Sequence, residues 1–124
     1  MIDFKNAAVL KLKPAEDPYI MKQVTPMLIE GETVFQLYRA LRDCAIFTSH
    51  RIIVANVQGM TGKKIDFTSL PYSKIQAYSV ESAGTLDLDA ELELWFSGLG
   101  KVKLDFVGKT DIAPICRFIS EKVL

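Results

Sequence analysis

Little in this chain belongs to the usual stock of active sites. Histidine occurs once, as His50, and cysteine twice, as Cys44 and Cys116. The cysteines lie far apart and in no Cys-x-x-Cys pattern, which leaves too few ligands for a zinc centre and no redox pair. Isolated cysteines with apolar neighbours read as reduced core or interface residues, so a reducing cytoplasm is the expected location. An excess of charge is missing too: 15 Lys and Arg stand against 15 Asp and Glu, for a formal net charge of zero. Nucleic acid is therefore a poor partner, because that binding draws on phosphate neutralisation by a basic surface. No segment reaches the roughly 18 apolar residues of a membrane span. The opening MIDFKNAAVLKLKP lacks the basic start and apolar stretch of a secretory signal. Repeats and low-complexity linkers are also absent.

What is present describes a globular chain. Its 124 residues are 49% hydrophobic and 24% charged, which fits one compact domain able to bury about two thirds of its unfolded surface. Residues 1–31 have a helical texture. Asp3 is placed to cap a short helix to about Lys11, stopped by Pro14. After Pro18, Ile20, Val24, Met27 and Leu28 recur at helical spacing, with Pro26 as a break and Gly31 as the expected C-terminal glycine.

From Glu32 the period becomes two. Segments 33–41, 44–49, 51–57, 64–69 and 74–81 read as strands, with a tight turn at Thr48–Arg51 and a glycine hairpin at Gly59–Gly62. In LDLDAELELWF, Leu86, Leu88, Ala90, Leu92, Leu94 and Phe96 alternate with Asp87, Asp89, Glu91, Glu93 and Trp95. Only a half-buried strand sets those groups on opposite faces. Val102, Leu104 and Phe106 continue the pattern after a turn. A three-residue loop that sets Glu93 beside Lys103 is favoured over a register that would oppose Glu93 with Asp105. A final helix, capped by Thr110 or Asp111, turns Ile112, Ile115, Ile119 and Val123 to one side.

Candidate chemistry thins out when each site is weighed. Ser49-His50 lacks a triad's partners and reads as a turn. Gly59-Met60-Thr61-Gly62-Lys63-Lys64 lacks the first glycine of a phosphate loop, carries Lys64 where Ser or Thr would bind magnesium, and leads into a strand. The Asp and Glu run at a spacing of two reads as an exposed acidic face, without the turn and glycine of a calcium loop. Arg42-Asp43 at a strand junction reads as structural. The expectation is a protein with no catalytic residues, no cofactor and no metal. Trp95, on the outward face among acidic residues, is the first candidate for an interface, with Tyr72 and Tyr78 as companions and Arg42, Asp43, Lys63 and Lys64 as further interface or binding candidates.

An ordered set of short motifs adds to this. Gly31-Glu32, Arg42-Asp43, Phe47-Thr48 with Arg51, Gln58-Gly59 with Thr61 to Lys64, Pro71-Tyr72-Ser73-Lys74-Ile75, and Val80 to Gly84 occur in order. They are followed by Asp87 to Leu92 and Trp95. Together they resemble the bacterial PH-domain family, long known as a domain of unknown function. The resemblance covers about residues 30–124 and implies a mainly β, PH-like fold. That fold is a seven-stranded barrel or pair of orthogonal sheets capped by the C-terminal helix, over residues 32–124, with residues 1–31 as a helical extension. It also implies ring-like homo-oligomers and no enzymatic activity. A protein or peptide is a further possible partner. Eukaryotic PH domains often bind phosphoinositides through basic residues; here Arg39, Arg42, Lys63 and Lys64 form no dense cluster, so a membrane-surface adaptor is the second reading.

Overall fold

The computed structural model describes all residues except 6–8, 62, 85–88 and 109, and gives only the backbone of Val9 and Leu10. Eight strands form one sheet: β1 (Val9–Pro14), β2 (Val34–Arg39), β3 (Asp43–Thr48), β4 (Arg51–Gln58), β5 (Lys64–Pro71), β6 (Ile75–Glu81), β7 (Ala90–Phe96) and β8 (Gly100–Phe106). Helix α1 (Pro18–Val24) with a following 3-10 turn precedes β2, and helix α2 (Ile112–Val123) ends the chain. The strand order is β5-β4-β3-β2-β1-β8-β7-β6, so the sheet curls but does not close.

The mainly β fold with a terminal helix matches the reading of the sequence. The strand count is eight rather than seven because of β1, where a helix was expected from Asp3 to about Lys11. From Val9 the chain is extended instead. It pairs parallel with β8 (Val9 with Leu104, Leu12 with Phe106) and then antiparallel with β2 (Lys13 with Arg39, Pro14 with Tyr38). The register slips between Val9 and Leu12, and Lys11 sits in that bulge with φ at 59°, a left-handed conformation. Leu12 is fully buried. Burial of Leu12 and pairing on both sides outweigh the weak helical propensity of a short segment.

Gly31 also differs in role. The helical region ends at Met27, and Gly31, at φ +82°, lies in a turn closed by the Glu32 amide on the Ile29 carbonyl at 3.0 Å. Elsewhere the pattern holds. The β7–β8 hairpin has a three-residue loop, Glu93 pairs with Lys103, and burial alternates along β7. The strand begins at Ala90; Leu86, Asp87 and Leu88 lie outside the described residues. Asp111 caps α2, accepting the Ala113 amide at 3.1 Å.

Apolar side chains gather on both faces of one half of the sheet. The larger cluster fills its concave side, joining Leu12, Phe47, Leu94, Leu104, Phe106 and Ile119. Ile2 and Phe4 reach into the same cluster from the N-terminal segment. A second cluster packs α1, through Ile20 and Val24, on the opposite face of β2–β5.

Candidate functional site

Among the described residues, one buried carboxylate is held by four hydrogen bonds. Glu32 accepts Arg51 Nε at 3.0 Å on one oxygen and Arg51 Nη2 at 3.0 Å on the other. Thr48 Oγ1 donates to it at 2.5 Å and the Ile29 amide at 3.1 Å. These hydrogen bonds, led by the Arg51 pair, hold the carboxyl down at about 2 although burial opposes them. Arg51 also donates to the Met27 carbonyl and to Ser69, both at 2.9 Å. The network ties the loop after α1 to the β3–β4 turn and β5. Glu32, Thr48 and Arg51 belonged to the ordered motifs in the sequence, but nothing local showed that they meet.

Tyr72 is a correction. As an interface candidate it needed a surface position, yet it is 2% exposed. Its hydroxyl donates to the Thr48 carbonyl at 2.8 Å, its ring meets Phe118 edge-on, and burial pushes its pKa up. Tyr72 follows Pro71 at the corner between β5 and β6, and the corner turns it inward. Tyr78 is half-buried on β6, its hydroxyl 2.7 Å from Ser120 Oγ on α2, so it joins sheet to helix within the chain.

Trp95 is partly exposed on the outer face of β7, between Ala77 of β6 and Lys101 of β8. The acidic face around it is matched by lysines: Lys103 meets Glu91 at 3.1 Å and Lys101 meets Glu93 at 3.9 Å. Glu91 first, then Asp105, raise the Lys103 pKa. Asp89 pairs with Lys11 at 3.5 Å; Asp87 lies outside the described residues.

Arg42 and Asp43 join two turns. Arg42 Nη2 donates to the Gly59 carbonyl at 3.2 Å, and Asp43 accepts from Asn56 Nδ2. Lys63 and Lys64 are exposed at the β4–β5 hairpin beside this contact, and Gly62 lies outside the described residues. His50 is exposed in the β3–β4 turn, its Nδ1 2.8 Å from Ser49 Oγ. The candidates are thus scattered: Trp95 on an outer face, Tyr72 in the core, Tyr78 under α2, and Arg42, Asp43, Lys63 and Lys64 at one set of turns.

A small pocket of about 80 Å³ brings together Asp17, Arg39, Arg42, Asp43 and Cys44. It does not present a nucleophile. Burial, then the Asp17 carboxylate, pushes the Cys44 thiol up to about 11, so it stays protonated near neutrality. Asp17 is committed to capping α1 at the Ile20 amide (3.1 Å) and to Arg39. Among the described residues no group of three or more His, Cys, Asp and Glu is placed to hold a metal. Among them also, no helix is long and apolar enough to cross a membrane.

Sequence reasoning missed a groove of about 520 Å³ where β1 meets the end of β2, walled by Lys11, Lys13 and Arg39. Its signal was the alternation in Leu10-Lys11-Leu12-Lys13, too short to stand out.

Comparison with known proteins places this geometry. The sequence profile described as "Bacterial PH domain" matches residues 3–123. The uncharacterized protein YjqA of Bacillus subtilis (strain 168) is 44% identical over 79 residues, 64% of this chain, and the match spans 63% of that protein's length. YozO of the same organism, also uncharacterized, is 30% identical over 76% of this chain and 81% of its own. Among solved structures, a DUF1696-family protein with a pleckstrin-homology domain from Shewanella loihica PV-4 superposes with a TM-score of 0.78 at 34% identity. That match covers 92% of this chain and 98% of the other. A pleckstrin-homology domain from Shewanella amazonensis SB2B gives a TM-score of 0.66 at 35% identity, over 96% and 93%.

Proposed function

We propose that this chain, which belongs to the bacterial PH-domain family, is a non-catalytic scaffold that assembles with copies of itself into a closed ring. PH domains are generally non-catalytic modules, and the small pocket of Asp17, Arg39, Arg42, Asp43 and Cys44 offers no activated nucleophile. The observation that carries the assembly reading is the open sheet. Its order ends in β5 on one side and β6 on the other. Exposed strand edges pair with other chains unless Lys, Pro or inward charges blunt them. Here Lys64, Pro71 and Glu81 stand at the strand ends and Asp66, within β5, is taken up by the Met1 amine at 2.9 Å, while Ala77-Tyr78-Ser79-Val80 of β6 carries no such residue.

Two different edges favour a head-to-tail contact, and such contacts close into rings when the rotation between subunits permits. Trp95 lies one strand in from the β6 edge, beside the small exposed Ala77. A subunit docking along β6 would cover it, and central aromatic residues often dominate interface energy. Two free cysteines, with Cys44 buried, suit the reducing cytoplasm.

Light scattering tests this directly. The wild-type mass should be a multiple of 13.9 kDa. Ser79→Lys on the edge and Trp95→Ala beside it should each lower that mass and leave the β-rich circular dichroism spectrum intact. A wild-type protein that stays monomeric when concentrated would overturn the reading.

A further inference from the structure

We propose that the outer face of α2, with Phe35 of β2 beside it, is a two-fold contact on which a second copy of this chain docks. The face holds a groove of about 380 Å³, walled by Phe35, Pro114 and Phe118, with Arg117 and Glu121 along it. This contact is separate from the β6 edge. Ser120 bonds Tyr78 of β6 from one flank of α2, whereas the groove lies on the other flank, against β2.

The first support is how Phe35 comes to the surface. Strict alternation would place it with Leu37 on the face that α1 covers. The register of β2 on β3 slips instead between Val34, opposite Thr48, and Gln36, opposite Phe47, and leaves Phe35 as the extra residue of a bulge. A bulge re-aims the side chain it carries. Here it lays the Phe35 ring on Phe118, with centroids 4.4 Å apart and planes 14° apart. Phe118 is itself held edge-on by Phe47 and Tyr72. Phe35 remains 47% exposed, an aromatic surface fixed from behind and open in front. Rigid aromatics of this kind anchor interfaces between chains.

The second support is the charge pattern, which selects the occupant. Arg117 and Glu121 are exposed one turn apart on α2, and among the described residues neither has an ion-pair partner. A cation four residues before a carboxylate is also the weaker order for pairing within one helix. A partner carrying one sign of charge would press like charge against one of the two. A second α2, laid antiparallel across a two-fold axis, sets Arg117 of each copy beside Glu121 of the other. That axis passes at the level of Ile119, next to Phe118, so the two Phe35 rings meet near the centre of the contact. Leu124, 94% exposed, then lies across from Pro114. Asp111 stays at the end of the groove, where it caps α2.

Sedimentation equilibrium on the Ser79→Lys variant tests this contact apart from the β6 edge. With that edge blocked, the variant should still reach twice 13.9 kDa when concentrated. Adding Arg117→Glu should leave a monomer, and adding Arg117→Glu and Glu121→Arg together should restore the dimer, because the swap rebuilds both pairs. Phe35→Ser in the same background should raise the dimer dissociation constant about tenfold or more. Circular dichroism checks its fold, and the exposed charge variants carry the test should it unfold.

In the otherwise wild-type chain, Arg117→Glu should halve the assembled mass. A Ser79→Lys variant that stays monomeric when concentrated overturns the proposal. So does a dimer that survives Arg117→Glu, or one that the charge swap fails to restore. The ring and this contact fail separately. A wild type that stops at a dimer, unchanged by Ser79→Lys and lost with Arg117→Glu, counts against the ring and for the two-fold contact. A larger assembly whose mass Arg117→Glu leaves whole counts against the two-fold contact alone.

Discussion

At the scale of single residues, Glu32 decides more than any candidate that looked functional. Its side chain is fully buried, and its pKa drops from an ordinary 4.5 to about 2 because Arg51 and Thr48 bond to the charged form. A carboxyl depressed on folding adds stability above its unfolded pKa, and that stability is lost as pH falls from about 4.5 towards 2. The shift corresponds to roughly 3 kcal/mol. Urea unfolding between pH 6 and pH 2 should therefore show a steep loss for the wild type. Glu32→Gln should flatten the part due to this group and lower stability at pH 7 by roughly 3 kcal/mol, since it leaves Arg51 without its counter-charge. Parallel pH curves for the two proteins would show that Glu32 is not an ionised partner of Arg51. The sequence displayed both residues within one ordered set of motifs, but not that they bond. The contact spans 19 residues and two turns, and no local period records such a meeting.

At the scale of elements, legibility followed solvent. The outer face of β6–β8 lies open, so β7 alternates buried and half-buried residues and could be read strand, face and hairpin register alike. Strands β3 and β4 are covered on one face by the main cluster and on the other by α1, and they read as near-continuous apolar runs. The strand β1 was hidden. Its parallel partner β8 comes about ninety positions later in the chain, and its bulge breaks the alternation. The bulge makes a prediction of its own. Lys11→Gly removes a side chain from a left-handed position, so it should be at least as stable as wild type once the entropy of glycine is counted. Lys11→Val places a branched residue there and should cost about 1–2 kcal/mol. Denaturant midpoints distinguish these, and a valine variant as stable as the glycine one would mean that Lys11 relaxes to an ordinary strand conformation in solution.

At the scale of the whole molecule, the two halves of the sheet are dressed differently. The half built from β2–β5 carries α1 on its outer face, while β6–β8 presents Trp95, Ala77 and the paired Glu and Lys residues instead. The free edge of β6 borders that bare face. An assembly built on β6 would bury both at once, whereas the doubly covered β3 and β4 would gain nothing from it. Hydrogen exchange read by mass spectrometry turns this asymmetry into a test. At concentrations where light scattering reports a multimer, the amides of Ile75–Glu81 that point away from β7 should exchange slowly, because a neighbouring strand would occupy their free hydrogen-bonding groups. On dilution to monomer those amides should become fast, and peptides from β3 and β4 should keep their protection. Loss of mass with no change in β6 would place the contact elsewhere on the surface. Faster exchange across all strands at once would mean instead that the monomer is only marginally folded, with assembly supplying part of its stability.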